Sequence, residues 1–174
     1  PIGVAILGDG LPSIFYSGST ADGRVYARHC SVADCSSIGA AVLIPGTYST
    51  NAQAFLQARV TVSPLTGFAA VPIYHGNSDA ASVLFCTNTD CSTASQFAPG
   101  FQVNVGVNFS PTAGLPMVTG RVGNNATVYF CADDTCSASS STSISGARGR
   151  DQENFDIAFT SIEDALINYG FNSI

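Results

Sequence analysis

The chain has 174 residues, 45% of them apolar, and sets twelve Asp and Glu against six Arg and no Lys. A net charge of −6 leaves no basic stripe for nucleic acid and no polybasic anchor for a membrane surface. The apolar fraction is too high for charge-driven disorder, and no apolar run nears the roughly 20 residues that span a bilayer.

In chain order, Ile2 to Leu7 reads as a short lead-in strand. Gly10-Leu11-Pro12-Ser13-Ile14-Phe15-Tyr16 predicts a second strand, and after a turn Arg24 to Cys30 predicts a third. Phe55 to Val62 alternates over β-branched and aromatic residues, as a half-buried strand does. Gly67 to Tyr74 and Ala81 to Cys86 then repeat the second and third patterns. Phe101 to Phe109, Gly114 to Val118 and Ala126 to Cys131 repeat all three. Phe155 to Phe159 begins a fourth copy, which continues through Ala165 to Gly170 and stops. Ser161-Ile162-Glu163-Asp164 carries a competing helix N-cap signal, but the repeat phase predicts strand over Ala165 to Gly170.

Three cysteine pairs punctuate the copies: Cys30/Cys35, Cys86/Cys91 and Cys131/Cys136, each with four residues between partners. An even count at equal spacing reads as a disulfide framework, one hairpin per full repeat, in an extracellular, cell-surface or periplasmic setting. The rival reading is zinc, which takes four ligands at usually tighter spacing, and neither His29 nor His75 completes a mixed site. The chain opens on Pro1 rather than Met, as expected of a processed form or an excerpt of a larger protein.

The predicted fold is all-β, built of tandem four-stranded repeats and β-propeller-like, with about three and a half blades. The units run over residues 1–50, 51–100, 101–148 and a partial 149–174, together one β domain. The succession Asp9-Gly10-Leu11-Pro12, Ile14-Phe15-Tyr16, His29-Cys30 and Cys35 resembles tandem repeats of secreted bacterial and other extracellular proteins. The resemblance implies propeller-like blades and lends fold more than activity. The second copy lacks the first Pro, and Phe85 and Phe130 stand where His29 does.

Candidate chemistry is sparse. His29 and Cys30 are adjacent on a strand and point to opposite faces, so they form no nucleophile–base pair. His75 follows Tyr74 at a turn and is expected to be exposed. Asp34, Asp90, Asp133 and Asp134 recur inside the cysteine loops. Such residues cap backbone amides, with calcium as the alternative use, so no cofactor is assigned. Asn125 and Asn108 begin glycosylation acceptor patterns, Asn125 at a predicted hairpin tip. Tyr16, Tyr26, Tyr74 and Tyr129 are candidate ring faces for a sugar.

A propeller of three and a half units cannot close on its own. The expectation is therefore a non-enzymatic extracellular structural or adhesive repeat protein. Self-association through open β edges would make it an oligomer or filament subunit. The alternative is a carbohydrate-binding, lectin-like module with glycans as partners.

Overall fold

The computed structural model describes residues 2–18, 23–48, 54–56, 59–75, 80–102, 105–148, 154–159 and 165–170. These residues form fifteen strands, all in antiparallel sheets. The first sheet holds β1 (Ile2–Ile6), β2 (Pro12–Ser17), β3 (Val25–His29) and β4 (Val42–Leu43) in sequence order. The second holds β5 (Ala54–Leu56), β6 (Thr61–Val62), β7 (Ala69–His75), β8 (Ala80–Cys86) and β9 (Ala94–Phe101). The third holds β10 (Val105–Phe109), β11 (Pro116–Val122), β12 (Asn125–Cys131) and β13 (Ser139–Arg148). β14 (Asn154–Phe159) and β15 (Ala165–Gly170) pair as a two-stranded fourth sheet.

The expected single strand over Phe55 to Val62 is divided. β5 and β6 both pair with β7, so the second sheet has one more strand than its neighbours. The expected strand over Ala165 to Gly170 is present as β15, while Ser161 to Asp164 lie outside the described residues.

The glycine that opens each second strand has a conformational reason. Gly10, Gly67 and Gly114 have φ of 79°, 72° and 66°, a left-handed backbone that costs other residues roughly 1–2 kcal/mol. Each donates its N–H back to a carbonyl at the end of the lead-in segment, Leu7, Ser63 and Ser110 respectively, closing a tight turn.

Where two successive sheets meet, the front face of the later one lies on the back face of the earlier one. The alternation of every strand divides between the two. Ala5, Leu7, Phe15, Val25 and Ala27 on the back of the first sheet pack on Val60, Ala69, Val71, Ile73 and Leu84 on the front of the second. Ala70, Val83 and Phe85 on the back of the second pack on Val105, Val107, Phe109 and Val118 of the third. Met117 and Val128 on the back of the third meet Ile157 of the fourth. The core is thus three apolar seams between successive sheets. At the first seam the backbones nearly touch. Gly8 N–H donates to the Gly67 carbonyl at 2.9 Å, and a Cβ on Gly8 would stand 2.6 Å from the Gly67 Cα.

Candidate functional site

All six cysteines are paired: Cys30–Cys35, Cys86–Cys91 and Cys131–Cys136, with Cα atoms 5.0, 4.9 and 4.7 Å apart. Three disulfides are consistent with an oxidising compartment. Among the described residues no helix is long and apolar enough to cross a membrane. The second cysteine of each pair takes a left-handed backbone, φ 54°, 57° and 57°. Side-chain carboxylates hold these loops. Asp34 Oδ1 accepts from Ser36 N–H and Asp90 Oδ1 from Ser92 N–H, both at 3.0 Å. Asp133, placed where the second loop has Asn88, accepts from the backbone N–H of Thr135, Ser137 and Ala138. These bonds stabilise the charged form and hold all three carboxyls below the ordinary carboxylate range, Asp133 furthest. In Asp133 the loop occupies both oxygens, and in Asp34 and Asp90 it occupies Oδ1. No group of three His, Cys, Asp or Glu suited to a metal ion occurs among the described residues.

The hairpins also pack. Cys86 and Cys91 belong to the seam between the first and second sheets, and Cys131 and Cys136 to the next seam. Each therefore closes over the preceding sheet. The Cys30–Cys35 hairpin has no described sheet before it: Cys35 is only half-buried, and Val32 at its tip is exposed.

His29 faces the back of the first sheet and pairs in register with Ser13. Ser13 Oγ lies 2.7 Å from His29 Nδ1, and Asp9 Oδ2 lies 2.9 Å from His29 Nε2. A carboxylate only accepts, so Nε2 carries the proton of the neutral ring and Nδ1 accepts from the Ser13 hydroxyl. The three residue types are those of a hydrolase triad, but the ring is reversed: in a triad the serine bonds Nε2 and the carboxylate Nδ1. It lacks access as well, since Ser13 is 1% exposed and turned into the first seam. The arrangement ties the Asp9-Gly10 turn to β2 and β3, at the position where the other sheets place Phe85 and Phe130. Strand register was the missing signal. It pairs Ser13 with His29 only once the hairpin between β2 and β3 is known.

His75 is 6% exposed, against the expectation of an exposed turn residue. β7 continues through it to pair with Ala80, and burial lowers its pKa from the ordinary histidine value. It lines an open cleft of about 600 Å³ with Thr47, Ser82 and Gln96. Gln96 already serves that cleft, accepting from Thr47 N–H at 2.6 Å and donating to Ser82 Oγ at 3.0 Å.

The four tyrosines do not converge. Tyr16 and Tyr26 stack with ring centroids 5.8 Å apart on the first sheet. Tyr74 packs on the second seam, and Tyr129 is held edge-on between Phe97 and Phe101. Asn125 is exposed after the two-residue turn Gly123-Asn124, whereas the Asn108 amide donates to the Ile157 carbonyl at 2.8 Å.

The front of the first sheet stands apart from the other three. Ile2, Val4 and Ile6 are 74%, 61% and 58% exposed. They pair with Tyr16, Ile14 and Pro12. Val105, Val107 and Phe109 pair with Gly120, Val118 and Pro116, so the two triplets hold the same positions relative to Gly-Leu-Pro. Val105, Val107 and Phe109 are buried in the second seam, and Val60 and Val62 of the second sheet pack into the first. Leaving three such side chains in water forgoes roughly 1.5–3 kcal/mol apiece. Single exposed apolar residues are ordinary, but a contiguous face of them marks an interaction surface. The stacked Tyr16 and Tyr26 extend this face toward Leu43, which is also exposed.

No protein-family model and no curated protein matches the sequence. Among solved structures, the chain is similar to a protein of unknown function from Dyadobacter fermentans DSM 18053, at a TM-score of 0.61 and 14% identity. The match covers 99% of this chain and 57% of that one, so the present chain spans little more than half the length of the protein whose fold it shares.

Proposed function

We propose that the protein is a non-enzymatic extracellular structural or adhesive repeat protein. Its sheets are propeller-like blades, about three and a half in number, and it works by assembling into an oligomer or filament. One observation carries this reading: Ile2, Val4 and Ile6 present to solvent the positions that the third sheet buries with Val105, Val107 and Phe109. The disulfide hairpins, the Ser- and Thr-rich surface and the scarcity of charge all suit an outer, assembled location. Multi-angle light scattering on the purified chain tests it. Mass is expected to rise above that of one chain at micromolar concentration, and a monomer at every concentration would refute assembly.

A second reading has one observation behind it. Tyr16 and Tyr26 stack on the same uncovered face, and such a pair offers an apolar platform with polar tips for a sugar ring. A glycan array in which the wild type binds and Tyr16→Ala does not would favour the lectin-like role.

A further inference from the structure

We infer that His75, Ser82 and Gln96 form an acid-sensitive catch, which holds the segment leaving the first sheet across the front of the second and releases it when His75 gains a proton. This goes beyond the assembling role and does not rest on it. The segment runs from Ile44 to Tyr48. Ile44 is buried in the first seam, and Tyr48 packs on the same seam. Between them Gly46 passes so close to the second sheet that a Cβ would stand 2.9 Å from Leu84 Cδ2. Thr47 is tied by its backbone, its N–H donating to Gln96 Oε1 at 2.6 Å. That bond fixes the orientation of the amide, so Gln96 Nε2 donates to Ser82 Oγ at 3.0 Å. Among the described residues the other partner of Ser82 Oγ is His75 Nε2, at 3.3 Å. An amide nitrogen only donates, so the hydroxyl proton goes to His75, and Nε2 is the unprotonated nitrogen of a neutral ring. The chain of bonds therefore runs one way, from Thr47 to Gln96 to Ser82 to His75. A proton on Nε2 reverses its last link. Ser82, 0% exposed, then faces two donors with no acceptor for its own proton, and the links behind it are undone.

Nothing described around the ring offsets such a charge. Ala54 on β5, Ala80 on β8, Gln96 on β9 and Thr47 are all uncharged, while residues 49–53 and the turn 76–79 with Asp79 lie outside the described residues. Burial holds the His75 pKa below the ordinary histidine value. A folded value below the unfolded one means that the neutral ring's contribution is complete above about pH 6.5 and is lost as pH falls through the folded value. Counted from the strand-opening glycine and the first cysteine, the third sheet has Val122 and Thr127 where the second has His75 and Ser82. The third sheet thus has no titratable group at this place.

Amide hydrogen exchange read by NMR tests this in the intact chain, at about pH 7.5 and about pH 5. The protection factor of the Thr47 amide is expected to fall about fivefold on acidification, the loss of one hydrogen bond, with the midpoint of the His75 ring titration. The Val118 amide, paired on both sides in the third sheet, is expected to keep its protection. His75→Gln retains an acceptor for Ser82 that takes no proton, so its Thr47 protection stays constant with pH. Gln96→Leu retains the titrating ring but cuts the chain of bonds, so its Thr47 protection is low at both pH values. Wild-type protection that is the same at both pH values, or that falls equally in His75→Gln, refutes the catch. Should His75→Gln fail to fold, Gln96→Leu serves in its place, and a Thr47 response like that of wild type refutes the catch. None of these readouts requires association, so their failure leaves the assembling function standing, and a monomeric chain leaves the catch standing.

Discussion

Removing one disulfide at a time separates two things that the hairpins do. All three rings close over the same sequence separation of 5 residues. The loop-entropy contribution is therefore alike, about 2 kcal/mol each. Packing is not alike. Cys86 and Cys91 are both buried in the apolar seam between the first and second sheets, whereas in the first pair Cys30 is buried within its own sheet's end and belongs to no seam, and Cys35 is half-buried with no described sheet beneath it. Replacing Cys86 and Cys91 by Ala forfeits the ring and also leaves a cavity, for roughly 1–2 kcal/mol more. The expected cost is about 3–4 kcal/mol for that pair and about 2 kcal/mol for Cys30 and Cys35. With a urea slope of about 2 kcal/mol per molar, the midpoints fall by about 1.5–2 M and about 1 M respectively. The measurement is made at several protein concentrations, and the comparison uses midpoints that do not change between them. Equal midpoint shifts, or a larger one for Cys30 and Cys35, would refute the claim that the later hairpins clamp the sheet before them.

Three further outcomes follow from the geometry. Hydrogen bonds hold the Asp133 carboxyl below its unfolded value, so its contribution is complete above about pH 4 and is lost as pH falls through the folded value. Urea midpoints measured across the acid range should therefore fall less steeply in Asp133→Asn than in wild type, and parallel slopes would count against the loop assignment. Gly8→Ala drives a Cβ to 2.6 Å from the Gly67 backbone, whereas Gly10→Ala meets open space and bears only its φ of 79°. Thermal melts should show Gly8→Ala to be worse, about 3 kcal/mol against about 1 kcal/mol. Ser13 lies beside His29 but is buried and bonded to the wrong ring nitrogen for a triad, so a fluorophosphonate probe should leave it unlabelled, and mass spectrometric detection of an adduct on Ser13 would count against a non-enzymatic role.

Much of this architecture is written in local patterns. Period-two alternation marks Ile2 to Leu7 and Phe155 to Phe159 as strands because each has one face in a seam, whereas the expected strand over Phe101 to Phe109 is divided, Phe101 closing β9 of the second sheet and Val105–Phe109 forming β10 of the third. The Gly-Leu-Pro openings mark turns, since Gly10 and Gly114 need a left-handed backbone. The equal cysteine spacing marks hairpins because the ring fits one tight loop. What stayed hidden needs register or stacking order. Ser13 and His29 are sixteen positions apart and meet only through the pairing of β2 with β3. His75 reads as a turn residue after Tyr74, yet the strand runs one residue further and its alternation sends the ring inward. The break between β5 and β6 leaves no trace in an alternation that runs on through it. The exposure of Ile2, Val4 and Ile6 is the clearest case. Their pattern is the same as that of Val105, Val107 and Phe109, and only the order of the sheets shows that one triplet lies in a seam while the other faces no described sheet.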